Sequence, residues 1–114
     1  MTVHFLKTRR TALTEDASAP VTVTLHGFSL GPNLVAWQMV SEIRAWSCDR
    51  LTTEEAFIAF TFGRCCVVVS EQRAGFEALE AAMIATFPST ARWRQAVKAP
   101  PYESNEAVLF QRTR

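Results

Sequence analysis

The sequence predicts an α+β fold: an antiparallel, strongly twisted sheet or half-barrel of about five or six strands, with one main helix over about residues 75–87 on one face and a short second helix over about 91–98. Three observations carry this reading. Residues 57–62 alternate between two faces, and the alternation resumes at 65–70 after Gly63-Arg64, as the arms of a hairpin do. From Gly75 the apolar spacing changes from two to three and four, the repeat of a helix face. Pro88 ends that run, because the residue before a proline is held out of helical geometry.

Taken in order, residues 7–20 (KTRRTALTEDASAP) are polar, carry both signs of charge and follow neither period, so residues 1–20 read as a mobile lead-in and residues 21–114 as a single globular domain. VTVTLH (21–26) alternates, with Val21, Val23 and Leu25 on one face and Thr22, Thr24 and His26 on the other. Phe28 and Leu30 stand between Gly27 and the Gly31-Pro32-Asn33 cluster, which suggests a short second strand or an extended return between turns. Trp37, Val40 and Ile43 recur every third residue, a helical or 3₁₀ turn that leads into an extended EIRAWSC (42–48). DRLTT (49–53) is a connection.

The hairpin that follows fixes a register. With Gly63-Arg64 as a two-residue loop, Phe62 faces Cys65, Phe60 faces Val67 and Ile58 faces Val69 on one side. Thr61 with Cys66, Ala59 with Val68 and Phe57 with Ser70 occupy the other. The first side is larger and more apolar, and Phe76, Leu79, Met83 and Phe87 form the helical stripe expected to cover it. Glu77 and Glu80 lie off that stripe, near the positive end of the helix. In the shorter helix Trp93 and Val97 point inward and Arg92, Arg94 and Lys98 outward; NEAVLFQR (105–112) offers a last strand.

Composition excludes several classes. Twelve Lys and Arg against eleven Asp and Glu leave a net charge of +1, so bulk charge draws the chain to neither nucleic acid nor an anionic membrane. No apolar run approaches the roughly 18 residues of a membrane span, and MTVHFLKTRR lacks the apolar segment of a signal peptide; a soluble cytoplasmic protein is expected. Three cysteines, an odd number, fit a reducing compartment better than a disulfide framework.

The combination of Trp37 to Val40, EIRAWSCDRLTTEEAFIAF, VVVSEQRAGFEAL, Phe87-Pro88, Trp93, Val97 and PPYESNEAVLF resembles a group of small, uncharacterised bacterial proteins. Their shared pattern is W-x-x-[IV], T-T-x-[DE], V-S-E, G-F and a closing P-[FY]-x-x-N, here ending on Tyr102 and Asn105, and the match covers residues 35–112. Ser47 and Cys48 depart from it where a basic residue is common, and Cys65-Cys66 replace less unusual strand residues. The layout is more loosely similar to PH-like domains and to immunity proteins of bacterial toxin systems. That resemblance implies a PH-like barrel capped by the helix as the alternative fold. It also implies a non-enzymatic module that binds a partner, and it transfers no catalytic residues.

Individual residues point the same way. On a strand, Cys65 and Cys66 project to opposite faces and cannot share a metal, and no CxxC or HxxxH spacing accompanies them. His4 and His26 lack a nucleophile in any recognisable context, Ser29 and Ser70 lack a GxSxG elbow, and no glycine-rich phosphate loop is present, so no cofactor or metal is expected. Arg44, Trp46 and Arg50 form an arginine and aromatic cluster of the composition favoured at protein interfaces. With Phe57, Ala59 and Val68 on the same uncovered side, they predict a protein partner or a second copy of the chain, unless residues 1–34 cover that side.

The carboxylates Asp49, Glu54, Glu55 and Glu71 lie near strand ends, where solvated edge or capping roles are the plain reading. Glu71 with Arg73 is placed to organise the strand-to-helix turn. The competing class is a small ligand binder or enzyme with Asp49, Glu71 and Tyr102 around a cleft at the strand ends. Basic residues at 7–10 and 89–114 supply a third, weaker reading, phosphate contact with nucleic acid, without a base-reading motif.

Overall fold

The structure is a computed structural model of the chain and describes residues 11–12, 19–49, 54–98 and 106–112. In chain order the elements are β1 (Thr11–Ala12), β2 (Val21–Val23), β3 (Gly27–Leu30), β4 (Asn33–Ala36), a 3₁₀ turn (Trp37–Met39), β5 (Val40–Asp49), β6 (Glu54–Phe62), β7 (Cys65–Ser70), α1 (Phe76–Thr86), a second 3₁₀ turn (Pro88–Thr90), α2 (Trp93–Ala96) and β8 (Glu106–Gln111).

The fold is α+β, and the sheet is open. It is divided where a single sheet of five or six strands was predicted. Among the described residues one sheet has the order β1-β7-β6-β5-β8, antiparallel except for the parallel β1–β7 pair, and a separate sheet has the order β2-β3-β4. Two sequence features explain the division. Gly31-Pro32 forms a two-residue loop that turns β3 directly into β4, so Asn33, read from sequence as part of the turn cluster, opens a strand, Asn33–Ala36, that the sequence did not assign. The Trp37 N–H then donates to the His26 carbonyl, and the 3₁₀ turn carries the chain from the small sheet into β5.

The hairpin register is the one the turn predicts: Phe62 pairs with Cys65, Phe60 with Val67, Ile58 with Val69 and Phe57 with Ser70. Gly63 has a φ of 61°, the left-handed geometry that a primed hairpin turn needs. The first face is completely closed. Ile58, Phe60, Val67 and Val69 share one core with Phe76, Leu79 and Met83 of α1, Trp93 and Val97, and Val21, Phe28, Leu30 and Val35 of the small sheet. Phe28 lies 4.9 Å from Phe60 and 5.4 Å from Trp37, ring centre to ring centre, so β3 sits over β6. The small sheet, α1 and α2 therefore all pack on the same side of the large sheet.

Gly75 joins these layers. Its φ of 90° starts α1, and a Cβ there would lie 2.1 Å from the Val21 carbonyl oxygen, so only glycine lets β2 approach. The Val21 N–H donates to the Ala74 carbonyl at 2.8 Å beside it. Leu25 departs from its predicted inward place and is 88% exposed. Strand β2 stops at Val23, where the Thr24 N–H donates to the Gly27 carbonyl and turns the chain. Within the stretch read as a lead-in, Thr11–Ala12 pair with Cys65 and Cys66, and Ala19 is buried with its carbonyl accepting from Arg73.

Candidate functional site

With the small sheet, α1 and α2 packed on one side, the second side of the large sheet can be read as a lattice. Pairing registers place Cys66, Thr61 and Glu42 in one row across β7, β6 and β5, at the end of the sheet where the hairpin turns. The next row holds Val68, Ala59, Arg44 and Val108, and the third Ser70, Phe57, Trp46 and Glu106. Alternation alone sends these side chains away from the core.

The third and second rows hold the predicted interface residues. Trp46 and Phe57 are directly opposite on β5 and β6, and their rings stack with centroids 5.7 Å apart and planes 18° apart. Both are half-buried, and Val108 beside them is 47% exposed. Arg44 lies between two carboxylates, its Nη2 3.0 Å from Glu42 Oε2 and its Nη1 3.3 Å from Glu106 Oε2. Partial burial works against its charge, but the hydrogen bond and charge of Glu42, and then those of Glu106, outweigh it and raise the guanidinium pKa above its ordinary value. Glu55 accepts from the Ser70 hydroxyl on the same side. Among the described charges this surface carries Glu42, Glu55 and Glu106 against Arg44, a net charge of −2.

The remaining predicted residues divide. Asp49 ends β5, opposite Glu54, but its side chain lies outside the described residues, as do Arg50, Tyr102 and Asn105 altogether. Glu71 is on the opposite side of the sheet from Trp46. Its N–H donates to the Ala56 carbonyl at 2.9 Å, and its Oε2 accepts from the Ala56 N–H at 3.1 Å, so it fastens the end of β7 to β6. Its Oε1 accepts from Arg94 Nη1 at 2.9 Å.

Glu80, read from sequence only as an acid off the apolar stripe near the positive end of the helix, is the hub that sequence reasoning missed. Its Oε2 accepts from Trp93 Nε1 at 2.8 Å and from Arg94 Nε at 3.2 Å, and the Arg94 guanidinium lies 4.7 Å over the Trp93 ring. The hydrogen bond that Arg94 donates to Glu71, opposed by partial burial and joined by those to Glu80, raises the Arg94 pKa. Glu80 and Glu71 thus tie α2 to α1 and to the end of β7. The only sequence signal was an acid on α1 that stands 14 residues before a basic residue on the next helix.

Beside this network is a cleft of about 150 Å³ lined by Ser47, Ala56, Glu71, Arg94, Val97 and Lys98. Ligand pockets usually span about 300–1,000 Å³, so this one has room for a few waters or one side chain. Its polar groups are also engaged: Ser47 Oγ donates to the Val97 carbonyl at 3.1 Å, and Glu71 and Arg94 neutralise each other.

The cysteines fall apart as the strand geometry requires. Cys65 and Cys66 form no disulfide and lie on opposite sides of β7; Cys48 faces Glu55, six positions along β6 from the Thr61 that faces Cys66. That separation is about 20 Å at the usual rise of a strand. Among the described residues no three His, Cys, Asp or Glu side chains gather in a metal-binding group, and no helix is long and apolar enough to cross a membrane. Compared with family models, curated proteins and solved structures, the chain has no match.

Proposed function

We propose that this chain is a non-enzymatic protein-interaction module that acts in the cytoplasm and engages a partner protein through the second side of its large sheet. The observation that carries this reading is the Trp46–Phe57 stack, set beside Arg44 and the exposed Val108 on a side that the small sheet, α1 and α2 all leave uncovered. Aromatic residues and arginine are the types enriched at interface centres, where truncation costs most. The surrounding carboxylates specify the chemistry of the partner: an apolar centre bordered by basic groups. An immunity-like action, in which the module blocks the partner surface that it covers, is the form of this reading that the sequence resemblance favours.

The ligand-binding alternative rests on the cleft beside Glu71, whose volume and internally paired charges give it less support. Nucleic-acid binding through the basic termini has less still. Arg94 is held by two carboxylates, and Arg112 donates to the Val40 carbonyl at 2.9 and 3.2 Å. The test is affinity capture from the native cell with the full chain and with Phe57→Asp, after circular dichroism shows the same fold. A protein retained by the parent and lost with Phe57→Asp supports the reading. Capture that is identical with both baits, or specific to neither, refutes it.

A further inference from the structure

The small sheet has one edge tied down and one edge open. On β2 the Val21 N–H donates to the Ala74 carbonyl at 2.8 Å, so that edge is closed by the chain that leads into α1. Strand β4 lies at the other end of the order β2-β3-β4, and the phase of its hydrogen bonds follows from the turn before it. Leu30 and Asn33 flank the two-residue loop and form a hydrogen-bonded pair, Ser29 and Leu34 do not, and Phe28 and Val35 form the next. The bond from the Trp37 N–H to the His26 carbonyl keeps the same phase one step further on. The N–H and C=O groups of Leu34 and Ala36 therefore point away from β3, and among the described residues no group meets them.

Proteins usually guard such an edge with charge, with proline in the strand or with a bulge. Strand β4 has none of these. Residues 17–41 contain no Lys, Arg, Asp or Glu in a chain that is 20% charged, and β3 and β4 pair without a register shift. The same stretch supplies three of the four large apolar side chains exposed among the described residues: Leu25, Leu34 at 67% and Met39 at 60%. Leu34 is on the outer side of the small sheet, because its neighbour Val35 is completely buried on the core side.

We infer that β4 pairs antiparallel with β4 of a second copy of the chain, about a two-fold axis at Val35. Leu34 of each copy then faces Ala36 of the other. Each of these two pairs exchanges two backbone hydrogen bonds, and each Leu34 side chain lies against an alanine on the outer side of a sheet that runs through both copies. The register is fixed by the sequence. A slip of two residues one way sets Ala36 against Pro32, which has no N–H; a slip the other way sets Leu34 against Gln38, which belongs to the 3₁₀ turn. A second copy fits better than an unrelated extended peptide because the strand is complementary to itself: the two-fold axis uses every outward group, and an uncharged surface doubles without repulsion. The interface uses no residue of the Trp46–Phe57 surface and does not rest on the partner reading.

Analytical ultracentrifugation of the full chain between about 10 µM and about 1 mM, the range in which an interface below the standard size associates, tests the inference. The weight-average mass should rise from that of one chain towards that of two. Leu34→Lys should weaken association at least tenfold with an unchanged circular dichroism spectrum, because Leu34 is exposed. Leu34→Pro, which removes only an N–H that points away from β3, should do the same. In the parent, the Leu34 and Ala36 amide hydrogens should exchange at least tenfold more slowly at the higher concentration. A single-chain mass throughout, which would leave the edge to an extended segment of another protein, overturns the pairing. Association that Leu34→Lys leaves unchanged overturns it, as does equal exchange of the two amides at both concentrations. Association lost with Phe57→Asp and kept with Leu34→Lys would put the second copy on the large sheet and overturn it as well.

Discussion

Phe60 and Phe57, three residues apart on β6, should differ sharply in what they contribute to stability. Phe60 is completely buried, 4.9 Å from Phe28 and 6.2 Å from Trp37 between ring centres, and paired with Ile43 and Val67 on the neighbouring strands. The strands and the small sheet on either side cannot close on the space that Phe60→Ala leaves, so both transfer and cavity terms apply and the loss should be about 3–5 kcal/mol. Phe57→Ala removes the stack on Trp46 and part of an apolar contact, but the site opens to water and no cavity forms. Its loss should be about 1–2 kcal/mol. The assay is urea denaturation followed by circular dichroism. With m of about 1–3 kcal/mol/M the two midpoints should lie roughly 1 M apart, with m unchanged. Equal losses, or a larger one for Phe57, would refute the claim that β6 has one closed face and one available face, and with it the location proposed for the interface.

Three further outcomes follow from the packing. Gly75→Ala combines a positive φ with a contact to the Val21 carbonyl that real Cβ atoms do not make, so calorimetry should show a loss of at least about 2 kcal/mol, roughly 8 °C in Tm; a Tm within 2 °C of the parent (about 0.5 kcal/mol) contradicts the α1–β2 junction. Glu80→Ala leaves the buried Trp93 N–H without its acceptor and should cost about 1–3 kcal/mol, while Glu80→Gln, which keeps an amide oxygen, should recover most of it; equal midpoints for the two variants would show that the hydrogen bond is immaterial. Mild oxidation should yield no intrachain bridge between Cys48 and either Cys65 or Cys66, because the registers hold them many residues apart; a disulfide-linked peptide of that kind in a mass spectrum would disprove the β5–β6 pairing.

The parts of the fold legible in the sequence are those governed by short-range rules. Gly63-Arg64 sets a turn type, the turn sets the pairing, and the pairing assigns each residue from Phe57 to Ser70 to a face; each step needs only neighbours in the chain. The change of period at Gly75 and the stop at Pro88 place α1 to within a residue at each end. The split into two sheets was not legible for the opposite reason. Whether Asn33–Ala36 joins β3 or continues a loop depends on a partner strand and on the Trp37 to His26 hydrogen bond, neither of which leaves a mark on periodicity. The ionic network escaped for the same cause: Glu80, Arg94 and Glu71 lie on three elements, and only the fold brings them together.

The candidate surface was half legible. Arg44, Trp46 and Phe57 could be selected by type and by alternation, but residues 1–34 stood as a potential cover, and sequence gave no side to them. The structure assigns residues 21–35 to the closed side through Val21, Phe28, Leu30 and Val35, each buried in the common core. That the small sheet leaves the aromatic pair on the opposite side uncovered is then a consequence of where it packs. A sheet of this width has two faces, and among the described residues the small sheet and the main helix are both committed to the larger apolar face. The Trp46–Phe57 stack, Arg44 and Val108 lie on the other face, which is why the interface has to be tested on those rows of side chains.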